Sequence, residues 1–400
     1  MASPLINRLK TFKKKCVISA IVLALSLLFA VLAGRLSAQE AADYNSPTAK
    51  FIRVQVLDEA GSFPLRVNGP YEIIDPLSNN ILERQKSLKT TVTSSKKGIF
   101  LGGKNFEFQK LLIKPVGEEG VLLNARRFRG DIYIIKKKNS KLSAVNLIEV
   151  ENYIKGILYN EASHYWPLEA LKAQAVACRT FALYQIEQNS AKDYDVTSDI
   201  YSQVYGGKAS ERYRTSRAVN ETAGEVLTFK GKIFAAYYHA TCAGHTEDAS
   251  LLWDNDIAPL KGVPCFFCKE SPHFKWHQVL LLDKISSKLS ASGQKIKDIQ
   301  KIEALEKDRS GRILNLRITS ADKTINIPAK DFRNIIGPNV IRSTNFSIEI
   351  ADGDAVFEGL GWGHGVGLCQ WGAYFMAKRG YDHKRILEYY YPQAVISKMQ

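Results

Sequence analysis

The sequence lacks several motifs that would place it in common enzyme or binding classes. It contains no G-x-S-x-G elbow, and no histidine has an obvious serine partner, so a serine hydrolase is weakly supported. The glycine-rich stretch "GWGHGVG" lacks the Lys-Ser/Thr ending of a P-loop, which argues against phosphate chemistry. Long Lys/Arg runs interleaved with aromatic residues, typical of nucleic-acid binding, are also missing. We therefore expect no nucleic-acid partner.

The chain has ordinary globular composition, with 45% hydrophobic and 24% charged residues, preceded by an export segment. Three lysines at positions 13–15 come before an uncharged apolar run over residues 16–34. Residues 1–38 are thus either a cleaved signal peptide or a retained anchor in the cytoplasmic membrane, with the lysines on the cytoplasmic side. Either alternative predicts export to the cell envelope.

The charge of the exported part is moderately basic. The export segment contains six of the 55 Lys and Arg residues and none of the 40 Asp and Glu residues, which leaves 49 basic against 40 acidic side chains. Such a balance suits an anionic polymer or surface as a partner.

Changes in hydrophobic period divide the rest of the chain and predict an α+β fold. Residues 39–50 are small and polar and indicate a linker. Residues 51–148 contain short alternating apolar runs and predict a β-rich region. Residues 149–400 predict a mixed α/β domain, with one helix before and one after Pro167. A Leu-spaced helix and further strands at about 279–350 predict a small inserted subdomain.

Glu161 is the main candidate for an acid that carries chemistry. It lies between the two predicted helices and near Trp166, where partial desolvation would raise its pKa, although position alone favours a solvated loop glutamate. Glu169 is the rival, but an ion pair with Lys172, three residues later on a helix, explains it. Lys172 and Arg179 are seven residues apart and project from one side of the helix. They form a candidate cationic strip, with a solvated helix face as the alternative.

The cysteines and histidines between residues 239 and 277 predict a zinc site. Cys242-x2-His245 lies about twenty residues before Cys265-x2-Cys268, which is ligand spacing for tetrahedral zinc. Further candidates for the ligand set are His239, His273 and His277.

Disulfides are the alternative for these cysteines in an exported protein. Cys16 lies in the export segment, so five cysteines remain, and an odd number cannot all pair internally. A structural or site-shaping zinc, with Cys178 and Cys369 as buried free thiols, fits the count better.

The stretch "GLGWGHGVGLCQWGAYFMAKRG" predicts a glycine-dense loop leading into a helix. Glycines permit close backbone approach, and the side chains of Trp362, His364, Gln370 and Trp371 are suited to stacking on and hydrogen-bonding a sugar. The alternative is a packed loop.

Four stretches, in order from about Val145 to Pro392, resemble the signature blocks of the stage II sporulation protein D (SpoIID) family, which includes the LytB-type amidase enhancers. The stretches are "VNLIEVENYIKGILYNEASHYWPLEALKAQAVACRTFAL", "SDIYSQVYGG", "YYHATCAGHTED" and "GLGWGHGVGLCQWGAYFMAKRG". The resemblance implies that residues 149–400 are a SpoIID-like catalytic domain. It also implies a lytic transglycosylase that cuts the peptidoglycan glycan between N-acetylmuramic acid (MurNAc) and N-acetylglucosamine (GlcNAc). The product would carry a 1,6-anhydroMurNAc end.

The resemblance implies roles for particular residues as well. Glu161 occupies the position of the family's catalytic glutamate, and zinc is bound by some members. Cys178 stands where alanine is common and Cys369 where serine is common, and paired cysteines at 265 and 268 are not a general family feature. The predicted substrate-binding residues are Lys172, Gln174, Arg179, Gln203, Tyr205, His364, Gln370 and Trp371.

A lytic transglycosylase also explains why the sequence offers one good carboxylate rather than the two that most glycoside hydrolases need. The C6 hydroxyl of MurNAc is the nucleophile, so one glutamate protonates the leaving oxygen and then deprotonates that hydroxyl. Members of the family act on strands from which an amidase has removed the stem peptides, which exposes the lactyl carboxylate. Arg179 or Lys172 is our hypothesis for the group that recognises this carboxylate.

Two further functions stay open. One is a non-catalytic protein that binds glycan and stimulates a cell-wall amidase, which would keep the groove without using Glu161. The other is a zinc-dependent amidase, in which the metal carries out the chemistry.

Overall fold

The structure is a computed structural model that describes residues 50–399. The predicted export segment and residues 39–49 of the predicted linker lie outside the described residues. Across residues 50–399, no helix is both long and apolar enough to cross a membrane.

The first hundred described residues are almost entirely strands, which confirms the β-rich N-terminal region. Their order is β1 (Phe51–Ala60), β2 (Ser62–Val67), β3 (Tyr71–Asp75), β4 (Asn80–Gln85), β5 (Leu88–Ser94), β6 (Ile99–Leu101), β7 (Lys104–Phe106), β8 (Lys110–Pro115), β9 (Val121–Leu123), β10 (Arg126–Phe128), β11 (Asp131–Lys136) and β12 (Leu142–Glu149).

Helices and short strands follow. They are α1 (Val150–Glu161), α2 (Leu168–Gln188), β13 (Val196–Thr197), α3 (Tyr213–Glu221), β14 (Glu225–Phe229), β15 (Lys232–Ile233) and β16 (Tyr238–His239). The next segment contains β17 (Lys275–Leu281), α4 (Leu282–Ala291), β18 (Ile299–Lys307), β19 (Ile313–Ser320), β20 (Thr324–Pro328), α5 (Ala329–Ile336), β21 (Phe346–Ala351) and β22 (Asp354–Leu360). The chain closes with β23 (Leu368–Cys369), α6 (Gln370–Lys378), α7 (His383–Tyr390) and β24 (Val395–Lys398).

Two sheets and helix α1 share the first hydrophobic cluster. One sheet has the strand order β13-β1-β12-β11-β8-β3-β4, and the other has the order β10-β9-β2-β5-β6-β7. Alternate residues of β1, such as Ile52 and Val54, are buried, as the period of two predicts. Tyr153, Ile154 and Ile157 of α1 pack into the same cluster, so the end of α1 is held against the β-rich region.

Helix α2 lies between this cluster and a second one. Leu171, Ala175 and Cys178 belong to the first cluster, whereas Ala173 and other residues of α2 belong to the second, which is built with the C-terminal helices. The small alanine side chains allow close packing on both sides. Pro167 is the N-cap of α2, where its missing N–H is not needed.

The segment from β17 to β22 has its own hydrophobic cluster, which runs from Trp276 to Phe357. Its two three-stranded sheets have the orders β17-β22-β21 and β18-β19-β20. We call residues 275–360 the inserted subdomain; this range starts four residues before, and ends ten residues after, the predicted range of about 279–350. Arg312 joins it to the preceding loop, because this fully buried guanidinium donates to the carbonyls of Cys242 at 3.0 Å and His245 at 3.1 Å.

Candidate active site

A cavity of about 450 Å3 lies where helix α1, the glycine-rich loop and the inserted subdomain meet. Glu161, the last residue of α1, faces it. His364 and Gln370 line it from the glycine-rich loop and the start of α6, and Lys330 and Arg333 line it from the inserted subdomain. Glu161, His364 and Gln370 therefore come together as the sequence predicted, although they are up to 209 positions apart in the chain.

Two hydrogen bonds fix Glu161. The backbone N–H of Val204 donates to Glu161 Oε1 at 2.9 Å, and Gln370 Nε2 donates to the backbone carbonyl of Glu161 at 3.0 Å. Burial raises the pKa of Glu161 to about 7, and the Val204 hydrogen bond opposes this shift only in part. Glu161 is also the only carboxylate among the described residues that line the cavity. A single acid that is protonated near neutral pH is suited to proton donation.

Glu161→Gln is expected to stabilise the protein at high pH. The pKa of Glu161 is about 7 in the folded state and about 4.5 in the unfolded state. Between these two pH values the unfolded state binds fewer protons than the folded state, so the wild type loses stability as the pH rises. The variant lacks this loss, so its stability relative to wild type should increase by about 1–3 kcal/mol between pH 4 and pH 8. Urea unfolding at both pH values measures the difference.

Glu169→Gln is the matched control, because the expected sign is opposite. Burial would raise the pKa of Glu169, but hydrogen bonds from Lys172 and His383 outweigh it and lower the pKa. Wild-type Glu169 therefore stabilises the fold above its unfolded-state pKa, and this contribution is lost as pH falls through the lowered folded-state pKa. Equal pH dependence of the two variants would contradict the assigned environment of Glu161.

Hydrogen bonds between buried side chains fix the segment around Val204. Gln203 accepts a hydrogen bond from the Tyr153 hydroxyl at 3.0 Å and donates to the Tyr238 hydroxyl at 3.1 Å. The Tyr205 hydroxyl donates to Asn146 Oδ1 at 2.8 Å. Gln203 and Tyr205, predicted to bind substrate, are therefore buried positioning residues that flank the N–H bonded to Glu161.

A glycine in helix α1 permits this arrangement. A Cβ at Gly156 would lie 2.4 Å from the ring of Tyr205, so a larger residue would push the 203–205 segment away from the helix. Close approach is the reason for a glycine inside a helix, where it otherwise costs stability.

Two histidines in the cavity wall are neutral at ordinary pH. Burial, with the positive charge of Arg312, lowers the pKa of His239 to about 3, and burial lowers the pKa of His364 well below its usual range. His239 Nδ1 donates to the carbonyl of Val366 at 3.1 Å, and His239 Nε2 is buried without a hydrogen-bond partner among the described residues. His364 Nδ1 accepts from the N–H of Val366, so its proton is on Nε2.

Aromatic rings line the cavity beside these groups. Tyr237 and Trp253 stack with their centroids 4.4 Å apart, and the His364 ring meets Trp253 edge-on at 5.2 Å. Trp362 also lines the cavity, with the guanidinium of Arg342 4.7 Å from its ring centroid. Rings with polar edges are suited to sugar rings, which present both apolar faces and hydroxyls.

The cations of the cavity come from helix α5 of the inserted subdomain. Arg333 makes only long hydrogen bonds, to the carbonyls of Arg342 at 3.3 Å and Pro338 at 3.4 Å, and no carboxylate of the described chain pairs with it. Burial lowers the pKa of Arg333 to about 10, and it stays protonated at neutral pH. Lys330 Nζ donates to the carbonyl of Leu252. Arg333 therefore offers donors for an anion in the cavity.

The predicted cationic strip on α2 is not formed, which corrects the sequence analysis. Arg179 is fully buried, and its Nε and Nη2 each donate at 2.8 Å to the carboxylate of Glu151. Lys172 forms ion pairs with Glu169 at 2.8 Å and Glu221 at 2.7 Å. Neither cation lines the cavity, because the shared face of α2 packs against neighbouring elements rather than facing the cavity.

Two other predicted substrate-binding residues also lie outside the cavity lining. Gln174 is buried and donates to Cys178 Sγ at 3.2 Å. Trp371 packs against Trp166 and Tyr374, with centroid distances of 5.1 Å to each. Trp371 thus contacts the loop that follows Glu161 and holds it in place.

The cysteines form a group that differs from the predicted zinc ligands. The Sγ atoms of Cys242, Cys265, Cys268 and Cys369, which we call the cysteine cluster, all lie within 4.8 Å of one another. Among the described residues, no histidine belongs to this group, so His239 and His245 lie outside it. Cys369 is a buried free thiol, as predicted, and its Sγ is the fourth member of the cluster. Cys178 is a buried free thiol, as predicted.

Comparisons with known proteins match two parts of the chain to family models. A family model described as stage II sporulation protein (SpoIID) matches residues 138–229, and one described as a domain of unknown function (DUF8618) matches residues 265–367. The chain is 34% identical over 361 residues to an uncharacterized protein of Brachyspira hyodysenteriae, covering 87% of this chain and 93% of that protein.

Two Bacillus subtilis proteins are also similar. Stage II sporulation protein D is 31% identical over 271 residues, which cover 64% of this chain and 76% of that protein. The amidase enhancer is 28% identical over 293 residues, which cover 61% of this chain and 40% of that protein. The chain belongs to the SpoIID family, as its four sequence blocks predicted, and this membership supports a role in the cell wall.

Proposed function

We propose that this protein is an exported peptidoglycan lytic transglycosylase that cleaves the bond between MurNAc and GlcNAc. The observation that carries the proposal is Glu161, a single carboxylic acid with a pKa near 7 in a cavity lined by aromatic rings. Family membership supports the assignment, since Glu161 lies within the SpoIID match.

One acid is sufficient for the reaction. Protonated Glu161 donates its proton to the glycosidic oxygen as the bond from MurNAc C1 to that oxygen breaks, and GlcNAc leaves with a hydroxyl. The MurNAc C6 hydroxyl then forms a bond to C1, and the Glu161 carboxylate accepts its proton. The 1,6-anhydro ring closes without water, and Glu161 returns to its protonated form.

The surroundings of Glu161 assist both steps. The Val204 N–H stabilises the carboxylate formed after the first proton transfer, and burial favours the acid that begins the cycle. Gln370 holds the backbone of Glu161, so the carboxyl group keeps one position relative to the cavity. The aromatic walls at Trp253 and Trp362 provide surfaces for neighbouring sugars.

A preference for glycan stripped of stem peptides fits the cations of the inserted subdomain. Removing a stem peptide by amide cleavage leaves the lactyl carboxylate of MurNAc, and a cell-wall amidase would carry out that prior step. Arg333, which has no carboxylate partner among the described residues, replaces Arg179 and Lys172 as the group proposed to bind this carboxylate.

Product analysis tests the function. The full chain is incubated with stripped glycan strands, and mass spectrometry is used to search for 1,6-anhydroMurNAc ends, which we expect. Lactyl–amide cleavage products that disappear with a chelator would instead indicate a zinc-dependent amidase. No product, together with faster hydrolysis by an added amidase, would indicate a non-catalytic enhancer. The similarity to the amidase enhancer keeps that alternative in view.

Arg333→Met is expected to remove the preference for stripped strands. A charge-assisted hydrogen bond contributes about 1.5–3 kcal/mol, so the ratio of cleavage rates for stripped and peptide-bearing strands should fall about tenfold or more. Arg317→Met, at an exposed arginine of the same subdomain outside the cavity lining, is the control and should leave the ratio unchanged. An unchanged ratio in Arg333→Met would exclude Arg333 as the carboxylate-binding group.

A further inference from the structure

The cysteine cluster has no part in the proposed reaction, because none of its members lines the cavity. Its four residues come from three distant segments: the loop after β16, the "CFFC" stretch at 265–268, and the residue before α6. All four side chains are at most 2% exposed. Thiols form only weak hydrogen bonds, so hydrogen bonding among them does not explain why four buried cysteines lie together.

We propose that the cysteine cluster holds one zinc ion in a closed, structural site. Four thiolates around zinc at about 2.3 Å form a tetrahedron whose edges are about 3.8 Å. The Sγ atoms of Cys242 and Cys268 are 3.5 Å apart, and no pair in the cluster exceeds 4.8 Å. The four sulfurs therefore already lie close to the corners that the ion requires.

Donors around the cluster point at the sulfur atoms, as expected for thiolates. The N–H of Cys242 donates to Cys369 Sγ at 3.3 Å, and the N–H of Gly372 donates to the same sulfur at 3.4 Å. The Tyr390 hydroxyl lies 3.1 Å from Cys265 Sγ. Cys369 is the N-cap of α6, where the partial positive charge of the helix terminus favours a negative sulfur. These contacts are the outer hydrogen bonds that orient metal ligands.

The proposed zinc ion would join the two chain segments that flank the inserted subdomain, since three of its ligands precede residue 275 and the fourth follows residue 360. Cys265 and Cys268 lie at the start of the DUF8618 match, whereas Cys369 follows its end and precedes Gln370. Gln370 donates to the backbone of Glu161, so a metal that fixes the first turn of α6 also fixes this contact. Four protein ligands would close the site, and none of them lines the cavity, so its role would be positioning rather than chemistry.

Disulfide pairing is the competing explanation. Two disulfides would link the cluster in pairs and would not need all four sulfurs to lie near one another. They would also leave the N–H groups of Cys242 and Gly372 facing sulfurs that are poorer acceptors than thiolates. The geometry therefore favours the metal.

Metal analysis of the full chain, purified without chelators, tests the proposal. We expect about one zinc per chain, and X-ray absorption should show four sulfur neighbours at about 2.3 Å. Less than a tenth of a zinc per chain, or cysteine-linked peptides in a non-reducing digest, would overturn the proposal. X-ray absorption that shows imidazole nitrogen among the zinc neighbours would also overturn the proposal and would restore His239 or His245 as ligands.

Zinc content of single variants distinguishes the cysteine cluster from other candidate zinc ligands. Cys268→Ser and Cys369→Ser should each lower the zinc content at least tenfold after dialysis, whereas Cys178→Ser and His245→Ala should retain about one zinc per chain. If the serine variants fail to fold, the absorption spectrum of the wild type still decides. These readouts do not involve glycan cleavage, so they stand apart from the proposed function.

Discussion

Glu161→Gln is expected to lower the rate of glycan cleavage by about a thousandfold, within the range of general acid–base catalysis. Glutamine keeps the shape of the side chain, and its carbonyl oxygen can accept the hydrogen bond from Val204, but it has no proton to donate to the leaving oxygen. The count of 1,6-anhydroMurNAc ends over time, measured with stripped glycan, gives the rate. Because the substitution should stabilise the fold at pH 8, loss of activity would not result from unfolding.

The pH dependence of the wild type provides a second readout for Glu161. Cleavage needs the protonated acid, so kcat/KM should fall as pH rises through about 7 and should level off below it. Glu169→Gln serves as the control, because Glu169 is paired with Lys172 and His383 outside the cavity. In that variant kcat/KM should still fall as pH rises through about 7, and activity should change by less than threefold. If kcat/KM of the wild type instead fell near pH 4.5, the result would contradict the role assigned to Glu161.

Arg179→Met is expected to lower the free energy of unfolding by about 3–5 kcal/mol. The substitution breaks a buried ion pair, leaves Glu151 without its partner, and removes donors from the carbonyls of Glu225 and Val219. For the 350 described residues this corresponds to a fall of roughly 5 °C in the melting temperature. Thermal unfolding followed by circular dichroism measures it.

Arg217→Met is the matched control for Arg179. Arg217 forms an exposed ion pair with Glu221 on helix α3, and such pairs contribute about 0–1 kcal/mol. The double variant Glu151→Met/Arg179→Met should recover part of the lost stability, because no unpaired charge remains. If Arg179→Met were as stable as Arg217→Met, the buried pair would not support the fold.

The sequence predicted where the helices lie in the chain better than it predicted which neighbours each side of a helix contacts. Seven-residue spacing correctly places Lys172 and Arg179 on one side of α2, but periodicity does not tell whether that side meets solvent or another element. Here it meets Glu151 and Glu221, which come from α1 and α3. The sequence contained the acids, yet the pairing depends on long-range packing.

The cysteine cluster shows the same limit. Local spacing pointed to His245 because it follows Cys242 by three residues, whereas the cluster includes Cys369, which is 127 positions after Cys242. Arg333 likewise had no signal in the sequence, because the inserted subdomain must fold before its helix α5 faces the cavity. Glu161 was proposed because of the resemblance to the SpoIID blocks, since its position alone favoured a solvated loop glutamate.

The contacts of Arg312 limit how the binding cleft moves. To swing the inserted subdomain outward, the protein would have to withdraw a buried guanidinium from the carbonyls of Cys242 and His245 and leave all three groups unsatisfied. A Cβ at Gly365 would lie 2.5 Å from the same guanidinium, so the two parts interlock. The subdomain is therefore anchored to the loop after β16 rather than hinged, so Lys330 and Arg333 keep fixed positions in the cavity wall.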